Sequence, residues 1–234
     1  MGKYAQKRII RKLDLELFLS KIAPQPTPQA HLEQYTISPS IASNILYVAA
    51  YANNDITGKT VLDLGCGTGR IAIGASYLGA KTVVGIDIDR LAVRTAVENT
   101  SKTHQAEKIL LIMGDINSIV GSFDTVLQNP PFGVQTREAD RAFLAKALEV
   151  GDSVYSLHNH PTTDLQLIKQ LKANNSFLEV SPSPFIERFV SQHNGAVKSV
   201  YAMLMTIPKM FDFHTKLKHD FVVDLYVIKR LNSK

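Results

Sequence analysis

Asp63-Leu64-Gly65-Cys66-Gly67-Thr68-Gly69-Arg70 is the stretch on which the fold turns. It continues the apolar run Thr60-Val61-Leu62 and leads into Ile71-Ala72-Ile73, so it reads as a strand passing through a tight turn into a helix. Glycines at alternate positions let the backbone turn sharply and approach a ligand where any Cβ would collide. Their spacing is G-x-G-x-G, whereas the G-x-G-x-x-G of dinucleotide folds presents a helix N-terminus to a pyrophosphate. Taken alone, such a loop could equally be a plain strand-to-helix turn.

Outward from this turn, short β-branched-rich runs recur at 60–64, 82–86, 109–113, 125–128 and 153–157, as buried parallel strands should. Helical patterns at 69–78, 90–101 and 141–150 alternate with them. Strand and helix in repetition predict an α/β, Rossmann-like doubly wound sheet with right-handed crossovers. Two later runs, 197–207 and 220–229, are joined by a connection too short for a crossover helix. They should pair antiparallel, giving a mostly parallel sheet with one antiparallel edge strand.

Ahead of the first strand, 5–22 reads as a helix with Ile9, Ile10, Leu13, Leu17 and Phe18 on its apolar face, halted by Pro24-Gln25-Pro26-Thr27-Pro28. A second helix is expected over 39–53, with Ser38 as N-cap and Pro39 at its first position. The organisation predicted is a basic helix and linker over 1–30 and a single domain over 31–234, with an inserted helix within 159–182.

At 234 residues and 45% hydrophobic, the chain can bury one sizeable core. Its single cysteine, Cys66, excludes an internal disulfide or a structural zinc site and favours a reducing, cytoplasmic location. No signal peptide or membrane-spanning run is evident. The net charge of +5 is concentrated at the ends. Residues 1–21 carry six Lys/Arg against Asp14 and Glu16, and 198–234 carry seven against Asp212, Asp220 and Asp224. Basic ends around an acidic middle suit a polyanion held through its phosphates, although solubilising lysines would look the same.

Three carboxylates end successive strands: Asp63, Asp87 in Gly85-Ile86-Asp87-Ile88-Asp89, and Asp115 in Gly114-Asp115-Ile116. Asp87 lies twenty residues after Gly67, the distance at which an acid accepts both hydrogen bonds of a ribose diol. Asp63 suits an amino group, and Asp115 an adenine amine between the apolar walls Ile88 and Ile116. Asp89 competes for the ribose but is better placed to cap the next helix. Together with Gly65, Cys66, Gly67 and Gly69, these residues point to S-adenosyl-L-methionine and a class I methyltransferase fold.

Beyond the fourth strand comes Asn129-Pro130-Pro131-Phe132-Gly133. Two prolines stiffen the corner, so the Asn129 side-chain oxygen and the Pro130 carbonyl can converge on one amine while Phe132 offers a stacking face. Holding both hydrogens of a planar amine frees its lone pair, and positioning then carries most of the catalysis. A base within a duplex cannot enter such a corner, whereas an RNA loop can present one unpaired. His158 and His214 lack metal-ligand spacing, so no metal is assigned.

With these motifs in place, the chain resembles the methyltransferase-like protein five family, the ribosomal RNA adenine-N6 methyltransferases of archaea and eukaryotes, over residues 31–158 and 195–230. The family's N-terminal segment that closes over the cofactor is matched by Leu32-Glu33-Gln34-Tyr35 and Ser38-Pro39, and its catalytic motif by Asn129 to Gly133. Val154-Tyr155-Ser156-Leu157-His158 and Phe211-Asp212-Phe213-His214-Thr215-Lys216 are similar to further signatures. The resemblance implies that Gln34 and Tyr35 border the cofactor, and that Phe213, His214, Lys216 and the nearby Lys218 face RNA. It also implies N6-methyladenine in small-subunit ribosomal RNA as product, and a small zinc-binding activator protein as partner. Thr36 departs from the family's usual proline, and 159–182 is longer than its pattern. Competing expectations are a protein glutamine or DNA amine methyltransferase and, from another class, a non-catalytic RNA-binding ribosome-assembly protein.

Overall fold

The β-branched runs and the amphipathic stretches between them form the elements their patterns demand. The computed structural model describes residues 9–29, 36–132, 138–162, 164–174, 177–208 and 218–231. In chain order these contain α1 (Lys12–Leu19), α2 (Pro39–Tyr47), β1 (Thr60–Leu64), α3 (Arg70–Tyr77), β2 (Thr82–Asp87), α4 (Arg90–Lys102), β3 (Ile109–Met113) and β4 (Phe123–Gln128). There follow α5 (Ala139–Val150), β5 (Gly151–Asn159), α6 (Leu165–Asn174), β6 (Leu178–Glu179), α7 (Pro184–Gln192), β7 (Gly195–Pro208) and β8 (Lys218–Arg230). No helix among the described residues is long and apolar enough to cross a membrane.

One eight-stranded sheet has the order β3-β2-β1-β4-β5-β8-β7-β6. The first five strands are parallel, and β8 is antiparallel to both β5 and β7. The antiparallel strand expected toward the end of the sheet is thus β8, slotted inside β7, with two-residue β6 as the last pairing. Strand order reverses between β1 and β4, and the crevice outside the carboxyl ends of two such strands is where open α/β sheets bind ligands. The glycine turn leaves β1 at this crevice, and Asn129 leaves β4 beside it.

Alternation along the strands divides the core. Leu127, Tyr155 and Leu157 face the side packed by Leu15, Leu19, Ile41, Ile45 and Ile71. Val126, Val154 and Tyr226 face the side packed by Leu144 and Leu148 of α5 and Ile186 and Val190 of α7. Both faces are therefore covered, as the continuous apolar strands require.

Three local expectations need revision. On α1 the buried side chains are Leu15, Leu19 and Ile22, whereas Ile9, Leu13 and Leu17 are more than half exposed. Both stripes satisfy helical spacing, and docking against α2 and α3 selects the second. Phe18 is half-buried, stacked on Tyr77 at 4.0 Å between ring centroids. The 39–53 helix is α2, capped by the Ser38 hydroxyl accepting from the Ile41 N–H at 3.2 Å, but it continues as a π-helical turn over Val48–Ala52. Helix α7 was not anticipated, although Pro184 at its first turn and the buried pair Ile186 and Val190 mark it. Within 159–182 the expected helix is α6, whose Leu167 and Leu171 pack against Ala202 and Val222.

Candidate active site

The turn after β1 is built from left-handed glycines: Gly65, Gly67 and Gly69 have φ of 75°, 52° and 81°. A Cβ at Gly65 would come 2.8 Å from the Phe143 ring, and one at Gly69 3.2 Å from the Ala96 Cβ. At Gly67 an added Cβ would meet nothing within 4 Å. Protein packing therefore does not explain that glycine's missing side chain, which leaves the backbone open to a ligand. The Gly65 and Cys66 N–H groups both donate to the Ile86 carbonyl at 2.9 Å, tying the turn to β2.

Alongside this turn runs a cavity of about 410 Å³. Asp63, Asp87 and Asp115 all line it, as do Gly65, Cys66 and Gly67. Ile88 and Ile116 contribute apolar wall, and Asn129 and Pro131 line it too. The two halves of the predicted site, Asp63 and Pro131 at their extremes, thus meet in one space. Gly69, Pro130 and Phe132 are not among the residues lining it. Phe132 is half-buried, its ring edge-on to Phe221 with centroids 5.9 Å apart. Gln34, Tyr35, Phe213, His214 and Lys216 lie outside the described residues, and Lys218 is described only as the start of β8.

The acids are held differently. Asp63 Oδ2 accepts from the Ala72 N–H in the first turn of α3 at 2.8 Å, and burial pushes its carboxyl up to about 7. Asp87 accepts from the Gly67 N–H at 2.8 Å and from the Asp89 N–H at 2.9 Å; burial raises its pKa despite these bonds. Asp115 accepts from the Asn117 N–H at 2.8 Å at the head of the 3-10 turn Ile116–Ser118. Asp89 caps α4 by accepting from the Leu91 N–H at 2.9 Å, the role expected for it, and its other oxygen accepts from Gln25 Nε2 at 2.8 Å.

At the Asn129 corner the side-chain oxygen is buried and has no hydrogen-bond partner among the described residues. Behind it, Gln128 Nε2 donates to Ser156 Oγ at 2.8 Å, and Ser156 Oγ lies 2.8 Å from His158 Nε2. His158 is buried edge-on to Tyr226, and desolvation lowers its pKa to about 4. It is a neutral packing residue at physiological pH.

Sequence patterns missed several residues of this cavity. Gln25 and Thr36 line it and join each other, the Gln25 N–H donating to Thr36 Oγ1 at 3.0 Å, a bond that proline at 36 could not offer. Phe143 of α5 and Arg70 of α3 also line it. Arg70 alone left a trace in sequence, as a basic residue in the first turn of a helix, where acids are favoured.

Comparison with known proteins agrees with this geometry. The family profile described as Ribosomal protein L11 methyltransferase (PrmA) matches residues 45–130. An uncharacterized protein of Methanocaldococcus jannaschii is 37% identical over 95% of this chain and 96% of its own length. The crystal structure of PH1948 from Pyrococcus horikoshii superposes with a TM-score of 0.79 at 35% identity, covering 96% of this chain and 100% of that one. The rRNA N(6)-adenosine-methyltransferase METTL5 of Danio rerio is 32% identical over 90% of this chain and 95% of its own length. The resemblance carried by the sequence motifs is borne out, and the chain belongs to the METTL5 family of class I methyltransferases.

Proposed function

We propose that this chain methylates N6 of an adenosine in ribosomal RNA, with small-subunit RNA in the cytoplasm as its substrate. S-adenosylmethionine, when bound, supplies an electrophilic methyl group. The residues fit that cofactor: Gly67 leaves open space, and acids suited to an amino group, a ribose diol and an adenine amine share one cavity. The observation that carries the reading is the buried, unpartnered Asn129 side-chain oxygen on the wall of that cavity. A buried acceptor without a donor is costly, and an exocyclic amine would satisfy it. Asn129 then holds a proton of the amine, with Pro130 supplying the second acceptor, and directs the nitrogen lone pair toward the cofactor pocket. No side chain has to act as a strong base, because the chemistry depends on position and on hydrogen bonds that strengthen as charge develops.

The match to the ribosomal protein L11 methyltransferase profile ends at residue 130 and so spans the cofactor half of the cavity. It does not argue for a protein substrate. On the RNA side, Phe213, His214, Lys216 and Lys218 form the proposed contact segment, and replacing both lysines with glutamine should flatten the salt dependence of RNA binding by roughly one to two units of slope.

The proposed zinc-binding activator fits β3. Among the described residues this outermost strand has one unpaired edge, and it exposes Leu110 and Met113, an apolar edge that strand addition would cover.

The test is transfer of labelled methyl groups to purified small subunits, large subunits, duplex DNA and release factor, with and without activator. Label in N6-methyladenine of small-subunit RNA is expected. Label confined to a protein glutamine would overturn the assignment, and label in large-subunit RNA would correct the substrate.

A further inference from the structure

Arg70 occupies the first position of α3, where free N–H groups and the helix dipole favour negative charge. Its side chain is nevertheless 7% exposed, and among the described residues no carboxylate pairs with it. One terminal nitrogen donates to the Ile37 carbonyl and the other to the Ile22 carbonyl, the latter at 2.7 Å. Nε is buried and donates to nothing among the described residues. Desolvation lowers the pKa to about 10, which leaves the group charged at neutral pH. A buried cation with neutral partners and an idle donor is costly, and an anion joining it offsets that cost.

The surroundings indicate which anion. Arg70 lines the same cavity as Asp63 and Gly67. Asp63 bonds the Ala72 N–H in the same first turn of α3, so a buried acid and a buried base flank one helix start. An α-amino acid presents the matching pair, an ammonium and a carboxylate on one carbon. The Ile22 and Ile37 carbonyls fix the plane of the guanidinium from two separate segments, which limits how far it can turn away from the cavity.

We propose that Arg70 binds the carboxylate of the methionine moiety of S-adenosylmethionine, opposite Asp63 at its ammonium. This rests on the cavity being the cofactor site. A guanidinium–carboxylate contact in a desolvated cleft is charge-assisted on both sides, so removing either partner is expected to weaken binding by about 10- to 100-fold.

The test is calorimetric titration of the full chain with S-adenosylhomocysteine and with its decarboxylated counterpart, which keeps the amine, thioether and nucleoside. The wild type should prefer the carboxylated ligand by about 10- to 100-fold, Arg70→Gln should reduce that preference below about threefold, and Arg70→Lys should keep part of it. If Arg70→Gln weakened both ligands equally, Arg70 would be a clasp for the N-terminal segment and the proposal would be wrong. A wild type indifferent to the carboxylate overturns it without any variant. Failure of the wild type to bind either ligand would remove the cofactor reading itself, an outcome distinct from binding without discrimination.

Discussion

Toward the amino ends of β4 and β5, buried polar groups satisfy one another; at the carboxyl ends of β1 to β4, several are left without a partner among the described residues. In the first region Asp55 Oδ2 accepts from the Tyr155 hydroxyl at 2.5 Å and from Lys229 Nζ at 2.6 Å. Lys229 also donates to Ser153 Oγ at 2.6 Å, and the Thr125 hydroxyl donates to the Asp55 backbone carbonyl at 2.5 Å. In the second region Gln25 Oε1, Arg70 Nε and Asn129 Oδ1 are buried without partners, and all three residues line the cavity. Only five such side-chain atoms occur among the described residues, so three of them at one place is a concentration. Desolvating a polar atom costs the same at either end of the sheet. A closed set of partners identifies structure, and an open set identifies a place where a ligand completes the bonding.

The hardest test of that contrast is Asn129→Ala. Methyl transfer should fall by about a thousandfold while cofactor affinity changes by less than about threefold, since the lost acceptor acts on the substrate amine. Parallel loss of cofactor affinity in calorimetry would mean the corner is not a separate half of the site. Next in size, Asp55→Ala should lower folding stability by about 3 kcal/mol in denaturant titration, because it strands the Tyr155 hydroxyl and the Lys229 ammonium. Transfer per folded molecule should persist; a large fall in turnover at full stability would erase the distinction between the regions. Asp87→Ala should weaken cofactor binding by about 10- to 100-fold, removing an acceptor of charge-assisted bonds. A change confined to turnover would argue against its place at the ribose.

The smallest expected effect concerns pH. His158 has a folded pKa of about 4 against an ordinary 6.5, so the unfolded chain binds its proton first on acidification. The stability that neutral His158 contributes is complete above pH 6.5 and is lost as pH falls from there toward 4. Relative to His158→Gln, the wild type should lose about 1 kcal/mol by pH 5.5 in thermal or denaturant unfolding. Equal acid sensitivity of the two proteins would show that the imidazole is not held neutral.

Much of this was legible in the chain. The expected strands 60–64 and 109–113 coincide with β1 and β3, and β2, β4 and β5 extend their expected runs by a few residues. Asp63, Asp87, Asp115 and Asn129 could be found because each lies at or close to the carboxyl end of a strand, and parallel strands necessarily bring those ends to one edge. The N-terminal region was not legible in the same way. Leu13 and Leu17 repeat at the same interval as Leu15 and Leu19, and nothing in the periodicity of α1 says which pair meets α2 and α3. Gln25 and Arg70 escaped notice because each works through partners far along the chain, Asp89 for one and Ile22 and Ile37 for the other.

The amino-acid sequence alone determined the order of strands and helices, the glycine turn and the motif after β4, since all of these follow from short-range sterics and side-chain alternation. Only the tertiary structure decided which face of α1 is buried, that Gln25, Thr36 and Ile37 line the cavity, and which buried polar atoms remain unpaired among the described residues. Those outcomes depend on contacts between segments dozens of residues apart, where each residue's partner is set by the packing of the whole sheet.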